Sequence, residues 1–118
     1  MIKLAIDLGS SMTKIYRADT NSGVVLAEPS CVAVSADGEV RAIGKAAKNL
    51  IGKTSERMNI VYPVYEGVIV DMGLAVAMLG DFLTRIGIKK KALRSAQALI
   101  GIPCGLSGDR LEIGRAHV

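Results

Sequence analysis

The sequence predicts an α/β domain, because three of its segments carry distinct hydrophobic patterns. Residues 1–7 alternate between apolar and other side chains, as a strand with one buried face does. Residues 72–86 carry apolar side chains at helical spacing, and residues 96–103 form a nearly continuous apolar run that is typical of a buried strand. This order of strand, helix and strand predicts a right-handed crossover. The apolar stripe of the helix consists of Ala75, Met78, Leu79, Phe82, Leu83 and Ile86.

Short strands and turns are predicted between the first strand and this helix. Thr13–Ala18 is extended and pairs with the first strand as a hairpin. The stretch Val24–Ser35 is rich in β-branched residues and is interrupted by Pro29, which marks an edge or a break. Lys45–Ile51 is predicted as a helix that ends at Gly52. The other predicted elements here are strands at Glu39–Ile43, Ile60–Val64 and Val68–Val70, and a polar loop at Lys53–Asn59.

Two acidic residues lie near the start of the long helix. Asp71 is the natural N-cap of this helix, and Gly87 is its natural stop. Glu66 and Asp71 are the acids nearest to a plausible cleft edge, but a capping role is favoured for Asp71. Neither is named as a catalytic residue.

The composition indicates a folded protein with an aliphatic core. Of its 118 residues, 50% are hydrophobic, yet it contains one Phe and no Trp. Disorder is excluded by this hydrophobicity, and the net charge of +4 permits an anionic partner without requiring one. Cys31 and Cys104 fit no metal or redox spacing and are interpreted as reduced packing thiols of a cytosolic protein. No signal peptide is recognised, and no apolar run reaches the ~20 residues of a membrane span.

The last residues are predicted to be foreign to the natural protein. Glu112–Val118 fits no predicted element and resembles the translation of a sequencing-library adapter, so the natural sequence is expected to stop near Leu111. Strand 96–103 would then lack the neighbours that it would have in the whole domain, which would leave apolar surface uncovered. His117 is the only histidine of the chain and lies in this tail. Neither catalysis by histidine nor metal binding through histidine is therefore expected in residues 1–111.

The turn between the first two strands has the chemistry of a phosphate site. Glycine permits a tight turn, successive backbone amides can hold an anion, and hydroxyl groups and a lysine add donors. Asp7 would repel phosphate, but its carboxylate is suited to hold Mg²⁺ through water. The alternative interpretation is an ordinary hairpin with a polar tip. The predicted phosphate-binding residues are Gly9, Ser10, Ser11, Met12, Thr13 and Lys14.

This turn resembles the first phosphate motif, Asp-x-Gly-[Ser/Thr], of the actin/Hsp70 ATPase superfamily. Four further blocks resemble the MreB family of bacterial actins, in the same order and at similar spacing. Together they cover nearly all of residues 1–111. The blocks are VLAEPSCVAV at 25–34, AIGKAAKNLIGKT at 42–54, YPVYEGVIVD at 62–71 and IGIPCGLS at 100–107.

The resemblance implies part of an actin-like ATPase domain of ribonuclease H-like fold. Residues 1–18 and 71–111 would form its core subdomain, and residues 24–70 a small inserted α+β subdomain. In this family the second phosphate loop, the adenosine-binding segment and the catalytic glutamate follow residue 111. The fragment is therefore expected to be inactive alone, whereas the full-length protein would be a slow ATPase.

The resemblance also implies a function for the intact protein. It would bind ATP with Mg²⁺, polymerise into membrane-associated filaments and maintain cell shape, in the cytoplasm and at the inner face of the plasma membrane. An Hsp70-like chaperone and a sugar or small-acid kinase of the same fold remain as alternatives. The short insert and the Glu-Pro-Ser block favour the filament protein.

A basic stretch, predicted as the loop Lys89–Ser95, follows the long helix. It and the end of the helix bring five positive charges within ten residues, with no acid between them. Each nearby Lys or Arg contributes roughly 1 kcal/mol to binding of anionic lipid, so a membrane contact is one hypothesis. A solvated charge run is the other, and nucleic acid is not expected because aromatics are absent here. The residues concerned are Arg85, Lys89, Lys90, Lys91 and Arg94, with Leu93 as an apolar contact.

Overall fold

The computed structural model of the protein describes residues 1–20, 22–53, 57–93, 96–103 and 110–117. Within them, the helices are α1 (Lys45–Lys48), α2 (Met72–Arg85) and α3 (Lys90–Leu93). The strands are β1 (Lys3–Leu8), β2 (Met12–Arg17), β3 (Gly23–Pro29), β4 (Val32–Ser35), β5 (Val40–Ile43), β6 (Met58–Val61), β7 (Val64–Tyr65), β8 (Val68–Ile69), β9 (Gln97–Pro103) and β10 (Arg110–His117).

The main sheet has five strands in the order β10-β9-β1-β2-β3. Its central strand, β1, pairs with β2 in antiparallel and with β9 in parallel orientation, so Ile6 lies opposite Ile15 on one side and Ile100 on the other. The predicted hairpin and the predicted strand–helix–strand connection are both confirmed. The hand of the crossover stays a prediction.

The hydrophobic core lies between α2 and one face of the main sheet. Phe82 and Met78 of the predicted helical stripe are fully buried and share one cluster with Leu8 and Ile15 of the hairpin. Because strand side chains alternate between faces, the residues between these apolar ones point away from α2. The sheet therefore has one face in the core and an open face that carries polar side chains.

The ends of α2 follow the predicted capping chemistry. Asp71 has an extended backbone, and its Oδ1 accepts a hydrogen bond of 3.0 Å from the amide of Leu74. Gly87 has a φ of 84°, which favours glycine and ends the helix. The capping role of Asp71 is confirmed. In the part of the chain that the structure describes, no helix is long and apolar enough to cross a membrane.

A smaller sheet follows the main one, and we call β4, β5, α1 and β6 the three-stranded unit. Its strand order is β5-β4-β6, and Cys31, Ala33 and Ala47 form its own buried cluster. The chain enters this unit after Pro29, where β3 ends. Since β3 still belongs to the main sheet, the change of sheet comes later than the predicted boundary at residue 24.

Several predicted boundaries were wrong for reasons of local hydrogen bonding. Helix α1 stops at Lys48 because, from Leu50 onward, the backbone amides bond three residues back, which tightens the chain into turns. Strand β6 begins at Met58, inside the predicted polar loop, because pairing with β4 satisfies its backbone. Pro63 separates β6 from β7, and Lys90–Leu93 forms a short helix where a loop was predicted.

The C-terminal residues also form an element that the sequence did not predict. Residues 110–117 pair with β9 in antiparallel orientation as β10, so β9 has neighbours on both sides. The open edge of β9 offers unpaired backbone groups, and an extended segment can satisfy them whatever its side-chain pattern. Arg94, Ser95 and Cys104 lie outside the described residues.

Gly44, between β5 and α1, tests how tightly the three-stranded unit is seated. Its φ of 73° is strained for other residues, and a Cβ would overlap Glu28 Oε1 and lie 3.1 Å from Phe82 Cε1. We expect Gly44→Ala to lower the free energy of unfolding of the 118-residue chain by about 3 kcal/mol. Gly52→Ala, with a φ of 69° but no atom within 4 Å, should cost about 1 kcal/mol. Equal losses in denaturant unfolding would contradict this packing.

Candidate functional site

The candidate site is the turn that joins β1 to β2. The amide of Gly9 donates a hydrogen bond of 3.0 Å to the carbonyl of Met12, which closes the turn. A Cβ on Gly9 would stand 2.5 Å from that carbonyl oxygen, so the closure requires glycine. Ser10 and Ser11 lie exposed at the tip. Because the Gly9 amide is used within the turn, the amides left for an anion there are those of the two serines.

Asp7 and Lys14 lie directly opposite each other in the register of β1 and β2. Cross-strand partners share a face of the sheet, and their neighbours Leu8 and Ile15 are buried in the core. Asp7 and Lys14 are therefore on the open face, Asp7 half-buried and Lys14 exposed. A carboxylate and an ammonium group thus flank the base of the turn on the side away from α2.

Thr13 is placed differently from its prediction. Its side chain is fully buried, and its Oγ1 is hydrogen-bonded to Ser30 Oγ at 2.7 Å. The predicted contact of this hydroxyl with phosphate is therefore not supported, because the hydroxyl lies in the interior. Met12 is 39% exposed, and its carbonyl closes the turn. Thr13 and Met12 shape the turn, whereas Ser10, Ser11 and Lys14 are accessible.

Ser30 is a residue of the site that sequence reasoning missed. It is fully buried, and its amide donates a hydrogen bond of 2.9 Å to the carbonyl of Ser11. With its hydroxyl on Thr13, Ser30 holds the turn by two groups from the neighbouring chain segment. The available signal was a hydroxyl residue next to apolar strands, since buried hydroxyls need partners.

Other predicted functional residues have local roles. Glu66 is exposed in the turn between β7 and β8, with a φ of 47°, and Asp71 caps α2. Arg85, part of the predicted basic stretch, forms ion pairs of 2.8 Å with Glu28 and 2.7 Å with Asp81. The basic stretch therefore keeps the exposed side chains of Lys89 and Lys91 among those described.

The pKa is shifted at Cys31, which lies next to the site, and at Asp19, which lies far from it. Burial raises the pKa of the Cys31 thiol, whose Sγ lies 3.4 Å from the carbonyl oxygen of Gly44. Cys31 is thus a neutral packing thiol, as predicted. At the far end of the hairpin, a hydrogen bond from Arg17 holds the pKa of the Asp19 carboxyl well below its usual range. This pair fixes the end of β2 opposite to the candidate site.

The buried hydroxyl pair of Thr13 and Ser30 gives a stability test. Ser30→Ala removes one partner and leaves a buried oxygen to be satisfied, so we expect the free energy of unfolding to fall by about 1–3 kcal/mol. Ser10→Ala, at the exposed tip, should change it by less than about 0.5 kcal/mol. Adding Thr13→Val to Ser30→Ala should cost less than the sum of the single changes, since the two share one interaction.

The changes in the free energy of unfolding are to be measured by denaturant unfolding of the 118-residue chain. The pairing would be refuted if Ser30→Ala and Ser10→Ala had equal effects.

The amino-acid sequence is similar to those of known proteins. A model of the MreB/Mbl protein family matches residues 1–112. The cell shape-determining protein MreB of Haemophilus influenzae is 34% identical over 107 residues, which are 86% of this chain and 30% of that protein. The cell shape-determining protein Mbl of Bacillus subtilis is 34% identical over 87 residues, 73% of this chain. The chain spans about 30% of the length of the curated MreB relatives it matches.

Comparison of structures gives the same relationship. A crystal structure of MreB5 of Spiroplasma citri bound to AMPPNP matches with a TM-score of 0.75 and 31% identity, over 90% of this chain and 31% of that one. The MamK double helical filament matches with a TM-score of 0.64 over 90% of this chain and 34% of that one; at 19% identity, it supports the fold alone. The chain therefore belongs to the MreB/Mbl protein family, and its fold is part of an actin-like domain.

Proposed function

We propose that these residues are the N-terminal part of an MreB-like bacterial actin that binds ATP with Mg²⁺ and polymerises to maintain cell shape. The observation that carries the proposal is the exposed turn with Asp7 and Lys14 side by side at its base. The name of the curated relatives, cell shape-determining protein, supports the cellular role. MreB5 of Spiroplasma citri, bound to AMPPNP in one structure and ADP in another, supports nucleotide binding.

The accessible groups of the turn suit a phosphate. Ser10 and Ser11 offer backbone amides and hydroxyls at the tip, and the ammonium group of Lys14 adds a positive charge. Gly9 contributes its lack of a side chain, because its amide is already bonded to Met12. In this proposal Thr13 supports the turn from the core side, and the amides and Lys14 hold the anion.

The site also suits a hydrated magnesium ion. Mg²⁺ usually keeps several waters and takes one or two carboxylates together with phosphate oxygens. Among the residues described, no three His, Cys, Asp or Glu side chains form a group that could hold a metal ion. Asp7, half-buried on the open face, is the carboxylate next to the proposed phosphate site, and it would orient water bound to the metal. Magnesium, when bound, would neutralise charge on the phosphates.

We assign no catalytic residue within this chain. In phosphoryl transfer most of the catalysis comes from positioning and electrostatics, which need groups on both sides of the nucleotide. The chain spans about 30% of its curated MreB relatives, and we infer that the rest of the cleft belongs to the remainder of such a protein. Slow ATP hydrolysis and filament assembly are thus proposed for the full-length protein only. The family match favours this function over an Hsp70-like chaperone or a small-molecule kinase.

The nucleotide proposal is tested by charge removal at the turn of the full-length protein. Lys14→Ala should weaken ATP–Mg²⁺ binding at least about tenfold, because it removes a charge-assisted contact with phosphate. Lys3→Ala removes an exposed lysine from the other end of the same face and should leave affinity unchanged. The unaltered protein should bind ATP more tightly with Mg²⁺ than with EDTA, and Asp7→Asn should abolish this difference in affinity. Isothermal titration measures all three.

The same titration on the 118-residue chain should detect no tight ATP–Mg²⁺ binding, because half of the cleft is missing. Micromolar affinity of the chain would contradict the need for the remaining cleft. Equal affinities of the Lys14→Ala and Lys3→Ala proteins would remove the phosphate assignment.

We also propose that the basic stretch after α2 contacts the inner face of the plasma membrane. Lys89 and Lys91 are exposed, and each nearby cation adds roughly 1 kcal/mol on an anionic surface. Lys90, Leu93 and Arg94 belong to the same predicted membrane contact, and their side chains lie outside what the structure describes. A peripheral location in the cytoplasm follows from this proposal, and no role in nucleic-acid binding is proposed.

Reversing the exposed charges tests the membrane contact. In the full-length protein, Lys89→Glu with Lys91→Glu should weaken co-sedimentation with anionic liposomes at least about fivefold, because attraction becomes repulsion. Lys48→Glu with Lys53→Glu changes the net charge equally on the three-stranded side and should have little effect. An equal loss for both pairs would indicate a net-charge effect, and no loss would eliminate the contact.

A further inference from the structure

The segment Glu28–Cys31 touches both the candidate phosphate turn and the three-stranded unit. We propose that this 28–31 segment couples the two. Nucleotide bound at the turn would strengthen the attachment of the three-stranded unit to β3 and α2, which we call its seating, with Ser30 and Glu28 as positioning residues. The inference rests on the proposed nucleotide binding and adds to it the way in which the site is regulated. Ser30 is hydrogen-bonded to the turn, whereas its neighbour Cys31 is hydrogen-bonded to the three-stranded unit.

On the side of the turn, the contacts are made by Ser30. Its amide donates to the carbonyl of Ser11 at 2.9 Å, and its hydroxyl pairs with Thr13 Oγ1 at 2.7 Å. Ser30 and Thr13 are both fully buried, so water cannot replace these bonds without opening the core. A shift of the turn on binding phosphate therefore moves the backbone of Ser30.

On the side of the three-stranded unit, the contacts are made by Cys31 and Glu28. The carbonyl of Cys31 accepts from the Gly44 amide at 2.8 Å, and its thiol lies 3.4 Å from the Gly44 carbonyl oxygen. Glu28 Oε1 accepts from the Lys45 amide at 2.9 Å. These bonds attach the junction of β5 and α1 directly to the segment that holds the turn.

Arg85 of α2 completes the attachment. Its guanidinium donates to Glu28 Oε1 at 2.8 Å and to the carbonyl of Ile43 at 2.9 Å, and it lies over the ring of Phe82 at 5.3 Å. The planar guanidinium thus joins the main sheet, the helix and the three-stranded unit at one point. An open groove beside Arg85 is lined by residues of β5, α1 and α2, so this attachment point borders solvent.

The coupling is reciprocal, as any coupling between two binding equilibria must be. If bound nucleotide raises the equilibrium constant for attachment of the three-stranded unit, attachment must raise the affinity for nucleotide by the same factor. Two measurements in the full-length protein therefore test the same claim from opposite ends. One follows the three-stranded unit while the nucleotide is varied, and the other follows nucleotide affinity while the attachment is varied.

The first measurement is hydrogen exchange at the amides of Gly44 and Lys45, with and without AMPPNP–Mg²⁺. We expect nucleotide to slow exchange at both amides at least about fivefold in the unaltered protein. Thr13→Val removes the buried hydroxyl without changing its shape and should abolish the slowing at saturating nucleotide. Thr13→Ser keeps the hydroxyl and should restore it. A purely structural role of the hydroxyl would alter stability but leave the slowing intact.

The second measurement is the affinity for AMPPNP–Mg²⁺ of proteins altered at the attachment. Glu28→Gln and Arg85→Gln should each weaken binding about fivefold although neither residue lies in the turn. Their matched controls are Glu39→Gln and Arg41→Gln, which change an ion pair within the β4–β5 hairpin and should leave affinity unchanged.

The outcomes separate the coupling from the nucleotide site. If the unaltered protein binds AMPPNP–Mg²⁺ but exchange at Gly44 and Lys45 does not change, the coupling is refuted and the proposed function stands. The coupling is also refuted if Glu28→Gln binds nucleotide as well as Glu39→Gln does. Failure of the unaltered protein to bind nucleotide overturns both the coupling and the proposed function.

Discussion

The burial of one face of the β1–β2 hairpin beneath α2 determines which side chains of the hairpin face the core and which are left on the open face. Leu8 and Ile15 share a fully buried cluster with Phe82, and this contact fixes which side of each strand faces the core. Since successive strand residues point to opposite faces, Asp7 and Lys14 must then lie on the open face. A slip of one residue in the pairing would turn one of the two strands over, which would expose its apolar side chains and bury its charge, and this is far more costly than losing one apolar contact. The hydrophobic contact therefore determines where the polar chemistry can occur.

An exposed turn that must hold a fixed shape needs support from below. The closure from Gly9 to Met12 gives the turn its tightness, but this bond alone leaves the tip free to tilt. The buried Thr13–Ser30 pair and the bond from Ser30 to Ser11 supply the missing constraint from the adjacent segment. Two hydroxyl groups in an apolar core would be destabilising singly, but each satisfies the other. The support is thus polar, directional and inaccessible to water.

The same segment brings the three-stranded unit into the physics of the site. Glu28 and Arg85 place a charged bond where β3, α1 and α2 meet, and Gly44 allows the close approach because a side chain there would strike Glu28. A family whose curated members are cell shape-determining proteins offers a reason for such an arrangement. Under the proposed function, a filament subunit that responds to its nucleotide would need a connection between the phosphates and its surfaces. In this fold that connection would run through four consecutive residues.

The sequence by itself determined the hairpin, the capped helix between Asp71 and Gly87 and the apolar strand β9, because each depends on local periodicity and capping chemistry. It also located the turn, because glycine and serines between two extended segments favour a tight change of direction. Only the tertiary structure decided that Thr13 faces the core and that Arg85 binds Glu28 instead of joining the basic stretch. These contacts join residues far apart in the chain, and side-chain types along one segment do not specify which distant group will meet them. The pairing of β10 with β9 was not predicted for a different reason, because an open strand edge accepts any backbone that packing brings beside it, whatever its side chains.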